Sequence, residues 1–170
     1  MQLLRKITTT IDKISEYTGK AVSYLILVVC VLEVAEVLLR YVFKSPTSWI
    51  WELCTIITGG IFVVGGAWVL KEGKHVRTDI IFGRLSRRGQ AIVDVALFFV
   101  VFTTFAYILI SKTVANAIYS WQIDERTFTM WGPPLGYMKT GIAVGFILLT
   151  LQALAKLIRD IHYVVKGEEL

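Results

Sequence analysis

The feature that most constrains this chain is a set of four long apolar runs. Three of the runs contain no charged side chain, and the first contains two glutamates and an arginine. The runs cover residues 21–43, 53–70, 95–111 and 140–155. A helix needs about 20 residues to cross a hydrocarbon core roughly 30 Å thick, and Lys or Arg at its ends can snorkel to the surface. Each run is therefore long enough for one membrane span.

These spans must be helices, because a backbone in lipid has no water to satisfy its polar groups. A soluble helical bundle would need a polar back face on each helix, and residues 53–70 have none. At 170 residues the chain has room for one domain. We therefore expect an all-α integral membrane protein of four helices and a single domain, 1–170. The predicted spans are roughly 20–43, 49–71, 90–112 and 135–158. The first run is expected to be retained, since its leader is too long for a signal peptide and no small-x-small site follows it.

The basic residues predict the orientation of the spans. Of the 18 Lys and Arg residues, 13 fall in the N-terminal segment, the loop between the second and third spans, and the C-terminal segment. Because Lys and Arg accumulate on the cytoplasmic side, we expect both termini in the cytoplasm. The net charge of +5 then reflects this topology and contact with anionic phospholipids, and it does not indicate a nucleic-acid partner.

Two segments have the pattern of amphipathic helices that lie on the inner membrane surface. Residues 2–17 place Leu3, Ile7 and Ile14 at helical spacing, with basic residues elsewhere on the helix. Residues 75–88 repeat the pattern, and within them His75, Arg77 and Asp79 are expected to set the helix. The sequence therefore predicts interfacial helices at roughly 2–17 and 75–88.

The chain offers few residues for catalysis or for holding a metal. Cys30 and Cys54 are predicted to lie at different depths, and both are interpreted as packing residues. The two histidines, His75 and His162, lie outside the predicted spans, so they cannot form a haem or zinc site within the membrane. We expect no cofactor and no enzyme activity.

Charged side chains inside the first span are the most informative polar residues. Glu33, Glu36 and Arg40 share one helical face, and Glu36 and Arg40 are spaced to pair directly. Glu52 begins the second span at about the depth of Arg40, and a short turn around Pro46 would bring these two ends together. Two interpretations remain open, an ion or proton path and a buried polar network that fixes packing or docks a partner. We favour the network and predict that Arg40, Trp49 and Glu52 form a structural latch, either between the first two helices or with a partner subunit.

Small residues predict where helices approach closely. Gly141 and Gly145 give the fourth span a small-xxx-small face, which is typical of tightly packed membrane helices.

Two segments together resemble the small membrane subunit of tripartite ATP-independent periplasmic (TRAP) transporters, the DctQ-like family. The first is Arg-Tyr-Val-Phe at 40–43, followed by Pro46, Ser48, Trp49 and Glu52. The second is Gly-Ala-Trp-Val-Leu-Lys-Glu-Gly at 66–73, followed by His75, Val76, Arg77 and Asp79. The order and spacing of these segments, together with the topology, carry the resemblance over nearly the whole chain.

The resemblance implies a heteromeric importer of the bacterial inner membrane. In such an importer a periplasmic substrate-binding protein delivers an organic anion, and a large membrane subunit moves it with a sodium gradient. The resemblance implies that this chain scaffolds the large subunit, and we expect the two membrane subunits to be separate chains. The expected interface residues are Glu36, Arg40, Trp49, Glu52, His75, Arg77, Asp79, Gly141 and Gly145.

Two other functions make different demands on the sequence. A self-sufficient, proton-coupled exporter would use Glu33 or Glu36 as its essential carboxylate, but the flat helices and the outer loop would have no task in it. A membrane enzyme or electron carrier would need paired histidines, a dithiol or a catalytic cluster within a span, and the sequence has none of these.

Overall fold

The computed structural model describes residues 2–74 and 86–168. In these residues the chain is helical and forms no strand, apart from an isolated bridge between Arg126 and Pro134. The helices are α1 (Gln2–Ser23), α2 (Leu25–Tyr41), α3 (Ile50–Lys71), α4 (Arg87–Leu97), α5 (Thr103–Gln122) and α6 (Leu135–Lys166). A π-helical turn, Phe98–Phe102, joins α4 to α5.

Four helical segments are long and apolar enough to cross a membrane. They are Gln2–Tyr41, Ile50–Lys71, Arg87–Gln122 and Leu135–Lys166. The predicted all-α class with four apolar spans is therefore confirmed. The orientation of the termini and the limits of each span within the bilayer stay predictions.

Local sequence signals explain where several helices begin and end. The hydroxyl of Ser86 accepts a hydrogen bond from the Gly89 amide at 3.3 Å, which caps the start of α4. Pro134 directly precedes α6, where its missing N–H costs nothing. At the other end of α6, Gly167 adopts φ = 74°, a left-handed conformation that glycine tolerates and that ends a helix.

The first helical segment differs from the prediction in its internal division. Helix α1 extends to Ser23, and Tyr24 interrupts the regular pattern with a bond from the Leu27 amide to its carbonyl at 3.1 Å. Contacts of α1 with α3 run antiparallel, since Glu16 meets Lys71 and Gly19 meets Trp68. The second half of α1 therefore follows the last turns of α3. The flat position predicted for residues 2–17 on a membrane surface stays a prediction.

The four spans form a row rather than a closed bundle. Helices α3 and α6 pack on each other at its centre, α1 and α2 lie along α3, and α4 and α5 lie along α6. Helix α1 also packs against α6, near the end of α3 that carries Lys71. This arrangement leaves α2 and the third span exposed over most of their surfaces.

The seam between α3 and α6 depends on Gly145. A Cβ atom at this position would lie 2.5 Å from Val63 Cγ1 and 2.9 Å from the Val63 carbonyl carbon. At Gly141 a Cβ atom would meet nothing within 4 Å. Of the two glycines predicted to form a close-packing face, Gly145 is therefore in tight contact and Gly141 is not.

Candidate subunit-docking surfaces

A partly buried polar network joins α1 to the last turn of α3 and to the second half of α6, and we call it the N-terminal clasp. Ser15 Oγ donates to Gln152 Oε1 at 2.7 Å, and Gln152 Nε2 donates to Asp12 Oδ1 at 2.8 Å. The guanidinium of Arg159 donates to the other oxygen of Asp12. Ser15 and Gln152 are each 1% exposed, so water cannot replace their partners. The clasp consists of Asp12, Ser15, Glu16, Lys71, Gln152 and Arg159.

The outer edge of the clasp is an ion pair between helices. Lys71 Nζ lies 2.5 Å from Glu16 Oε2, while Lys20 lies 2.5 Å from Glu16 Oε1. Glu16 therefore accepts from two cations, one on its own helix and one on α3. This pair fixes the register of α1 against α3 at the point where Gly19 passes Trp68.

The clasp was not predicted from the sequence, because the prediction for α1 depended on its apolar residues alone. That stripe points away from the protein, and Leu3 is 70% exposed. The packed stripe instead consists of Thr8, Ser15 and Gly19, which are buried. Small residues spaced by seven and four positions on one helical face were the signal that could have identified this contact.

The predicted pairing inside the first span is confirmed. Arg40 Nη2 donates to Glu36 Oε1 at 2.5 Å, and Glu36 is buried. The structure adds Thr47, whose hydroxyl and amide donate to Glu36 Oε2 at 2.5 and 3.3 Å. The carboxylate therefore ties the end of α2 to the turn before α3. We call Glu36, Arg40, Thr47, Trp49 and Glu52 the polar corner.

Trp49 and Glu52 have different surroundings within the polar corner. The ring of Trp49 meets Trp131 edge to face, with centroids 6.4 Å apart, so it contacts the outer loop before α6. Glu52 is buried, and its Oε2 has no hydrogen-bond partner among the described residues. The guanidinium of Arg40 is directed to Glu36. The role of Arg40, Trp49 and Glu52 as one latch stays a prediction.

Glu33 lies apart from the polar corner. It lies near the Cys54 thiol of α3, and its own side chain is exposed on α2. A carboxylate exposed within a span would be costly in pure lipid, so such groups face protein or water.

The outer loop between α5 and α6 is closed by main-chain and ionic contacts. The Leu135 amide donates to the Glu125 carbonyl at 2.8 Å, and Lys139 Nζ lies 2.5 Å from Glu125 Oε2. The ammonium of Lys139 lowers the pKa of the Glu125 carboxyl below its usual value. The ion pair therefore holds the loop against the first turn of α6.

The remaining predicted interface residues, His75, Arg77 and Asp79, lie outside the described residues. Their predicted role in an inner-surface helix over 75–88 stays a prediction. Of that segment the structure describes only 86–88, where Ser86 caps α4 and Arg87 begins it.

The described helices present wide apolar surfaces to their surroundings. Exposed residues on α2 and on the third span include Val31, Val34, Val100, Phe105 and Tyr107. Among the described residues, no group of three or more His, Cys, Asp or Glu side chains could hold a metal ion. Such surfaces are suited to contact with lipid and with other membrane helices.

Comparison with known protein families gives a match over most of the chain. The family model described as "Tripartite ATP-independent periplasmic transporters, DctQ component" matches residues 9–162. No curated protein sequence matches the chain. The matched range includes the last part of the N-terminal segment, all four apolar runs and the outer loop.

Proposed function

Because this chain belongs to the DctQ family of tripartite ATP-independent periplasmic transporters, we propose that it scaffolds the large transport subunit of such an importer. The family consists of transporter subunits rather than enzymes, and with four apolar helices the chain is a multi-pass inner membrane protein. The proposed importer takes up an organic anion with a sodium gradient after delivery by a periplasmic binding protein.

The observation that carries the scaffold proposal is the open row of helices. Among the described residues, α3 and α6 pack against helices on both sides, whereas α2 and the third span expose large apolar residues that are available to a neighbouring subunit. A transporter that worked alone would be expected to enclose a polar site between its helices, near the middle of the membrane. In the described ranges the buried hydrogen bond between Ser15 and Gln152 instead ties α1 to α6, as part of the N-terminal clasp.

Reconstituted uptake tests this proposal. The anion is first chosen as the one that raises the melting temperature of the binding protein, and its sodium-driven uptake is then measured in vesicles. We expect uptake with this chain, the large subunit and the binding protein together, and none with this chain alone. Full uptake by the large subunit and binding protein without this chain would overturn the scaffold role.

The same vesicles test the alternative of a self-sufficient exporter. Glu33 is the carboxylate that favours it, because it is exposed on α2 and makes no ion pair among those described. Proton-coupled transport by this chain alone, lost in Glu33→Gln or Glu36→Gln, would establish that function. The Asp124→Asn variant is a suitable control, since Asp124 is an exposed carboxylate of the outer loop.

We further propose that the polar corner contacts the large subunit. This proposal is supported by the partial exposure of two members of the polar corner. The Arg40 side chain is 48% exposed and Trp49 is 40% exposed. We expect Arg40→Ala combined with Trp49→Ala to reduce co-purification of the large subunit, whereas Asp124→Ala should leave it unchanged. Equal recovery from both variants would remove the polar corner from the interface.

Both termini are proposed to be cytoplasmic, on the basis of the basic residues near them. A C-terminal fusion to alkaline phosphatase should then be inactive, because that enzyme folds only outside the cytoplasm. A fusion in the outer loop near Asp124 should be active, and the reverse pattern would invert the topology.

A further inference from the structure

An open groove of about 490 Å³ runs between the third span and α6. Its walls are mainly apolar and aromatic, and they include Phe98, Phe102, Phe105, Leu109, Phe146 and Leu149. The groove lies within a segment of the chain that is apolar enough to be in the membrane. Whatever fills it must therefore present an apolar surface.

The π-helical turn shapes one wall of this groove. Phe98 and Phe102 stack with ring centroids 5.0 Å apart and planes inclined by 27°. The hydroxyl of Thr103 donates to the Phe98 carbonyl at 3.0 Å, across the five-residue spacing of the widened turn. Such turns often occur at functional sites because they redirect side chains. Here the turn places two aromatic rings along the groove.

The groove has one polar end. Lys156 pairs with Asp94, and it also lies 3.1 Å from Asp160; all three line the groove. One turn beyond Asp160 on α6, the Val164 carbonyl accepts a hydrogen bond from Arg88 at 3.1 Å. Arg87 stacks over the Tyr163 ring close by, at 5.3 Å. Cations and carboxylates therefore alternate at this end.

The length of the groove matches one leaflet of a bilayer. Asp160 and Phe146 lie at its two ends on α6 and are 14 residues apart, which corresponds to about 21 Å of helix. One leaflet, counted with its headgroup region, is half of a bilayer of roughly 40–45 Å and is therefore about 20–22 Å thick. One acyl chain could therefore lie along the apolar walls, with its headgroup at the level of Asp160.

We propose that this groove binds a glycerophospholipid whose headgroup carries a primary amine, as in phosphatidylethanolamine. An acyl chain occupies the apolar part, Asp160 accepts hydrogen bonds from the ammonium group, and the phosphate lies near Arg88. Asp94 and Asp160 share Lys156, so the groove lining carries two carboxylates and one cation. This excess of negative charge favours a headgroup with an ammonium group over phosphatidylglycerol, whose only charge is negative. The function of the site is to complete the packing of the third span against α6.

Native mass spectrometry of the full-length chain tests the proposal. The chain is purified in micelles that contain equal amounts of phosphatidylethanolamine and phosphatidylglycerol. The test variant is Val101→Trp, which enlarges a residue that lines the groove. The matched control is Val100→Trp, on the same turn but outside the groove lining, and both valines are more than half exposed.

We expect the wild-type chain and Val100→Trp to retain one phosphatidylethanolamine each. In Val101→Trp we expect retention to fall about tenfold or more, because each buried methylene contributes several-fold to partitioning. A second variant, Asp160→Asn, should remove the preference for phosphatidylethanolamine without emptying the groove. The wild-type competition between the two lipids needs no variant, so the proposal can be tested even if Val101→Trp does not fold.

Three results would overturn the proposal. One is equal retention of the two lipids by the wild-type chain, and another is equal loss of lipid in both tryptophan variants. The third is displacement of the retained lipid when the large subunit is added, which would show that a helix of the partner occupies the groove.

Discussion

The centre of the helix row and its two sides are built differently. At the centre, α3 and α6 approach so closely that Gly145 has no room for a methyl group beside Val63. At the sides, α2 packs mainly on α3 and the third span mainly on α6, and both expose large apolar residues. In lipid an exposed apolar side chain carries little penalty, so packing rather than burial from water holds the centre together. The difference indicates a rigid core with sides available to lipid and to partners.

The largest expected effect comes from filling the central seam. Gly145→Ala should destabilise the folded chain by about 1–3 kcal/mol, because the added methyl would force the Val63 backbone away. Thermal unfolding in detergent measures this change. Gly141→Ala is the matched control on the same helix, and it should be neutral or slightly stabilising, since its Cβ meets nothing. Equal effects of the two substitutions would contradict the close contact of α3 with α6 at Gly145.

A smaller effect is expected from opening the N-terminal clasp. Asp12→Ala removes the acceptor of the Arg159 guanidinium and of Gln152 Nε2, which should cost about 1–3 kcal/mol. We also expect faster proteolytic cleavage within α1, measured by limited digestion of the purified protein. Asp124→Ala is the control, because its pair with Arg126 is on the surface and should contribute less than about 1 kcal/mol. If α1 resists cleavage unchanged, the clasp does not hold it.

The smallest effect is expected at the outer loop, as a dependence of stability on pH. The pKa of Glu125 is lower in the folded chain than in the unfolded chain because Lys139 stabilises its charged form. The ion pair therefore contributes stability at pH values above the unfolded carboxyl pKa of about 4.3, and this contribution is lost as the pH falls through the folded pKa.

Unfolding midpoints measured across this acidic range test that expectation. Lys139→Met should reduce the loss of stability on acidification, because the Glu125 pKa would return toward its unfolded value. The Lys112→Met variant is a useful control, since Lys112 belongs to α5 and makes no ion pair among those described. An unchanged acid profile in Lys139→Met would show that the pair has no energetic effect.

Local patterns predicted some of the candidate site and missed the rest. The pair of Glu36 and Arg40 followed from a four-residue spacing, which fixes neighbours on any helix. The partner Thr47 could not be inferred in this way, because it lies beyond the end of α2 and reaches Glu36 only through the turn. The clasp was missed for the same reason, since Ser15 and Gln152 are 137 positions apart.

The sequence by itself determined that this chain has four apolar helices, where they lie approximately, and which family it resembles. These properties depend on hydropathy, helical spacing and motif order, which are local or linear features of a chain. Only the tertiary structure decided that the spans form a row with α3 and α6 at its centre, and that Gly145 rather than Gly141 lies in the seam. The physical reason is that lipid tails are as apolar as the side chains, so hydropathy does not distinguish a face that packs on a helix from one that faces lipid. Side-chain shape and a few polar contacts determine which face packs on a helix, and both depend on residues that are far apart in the sequence.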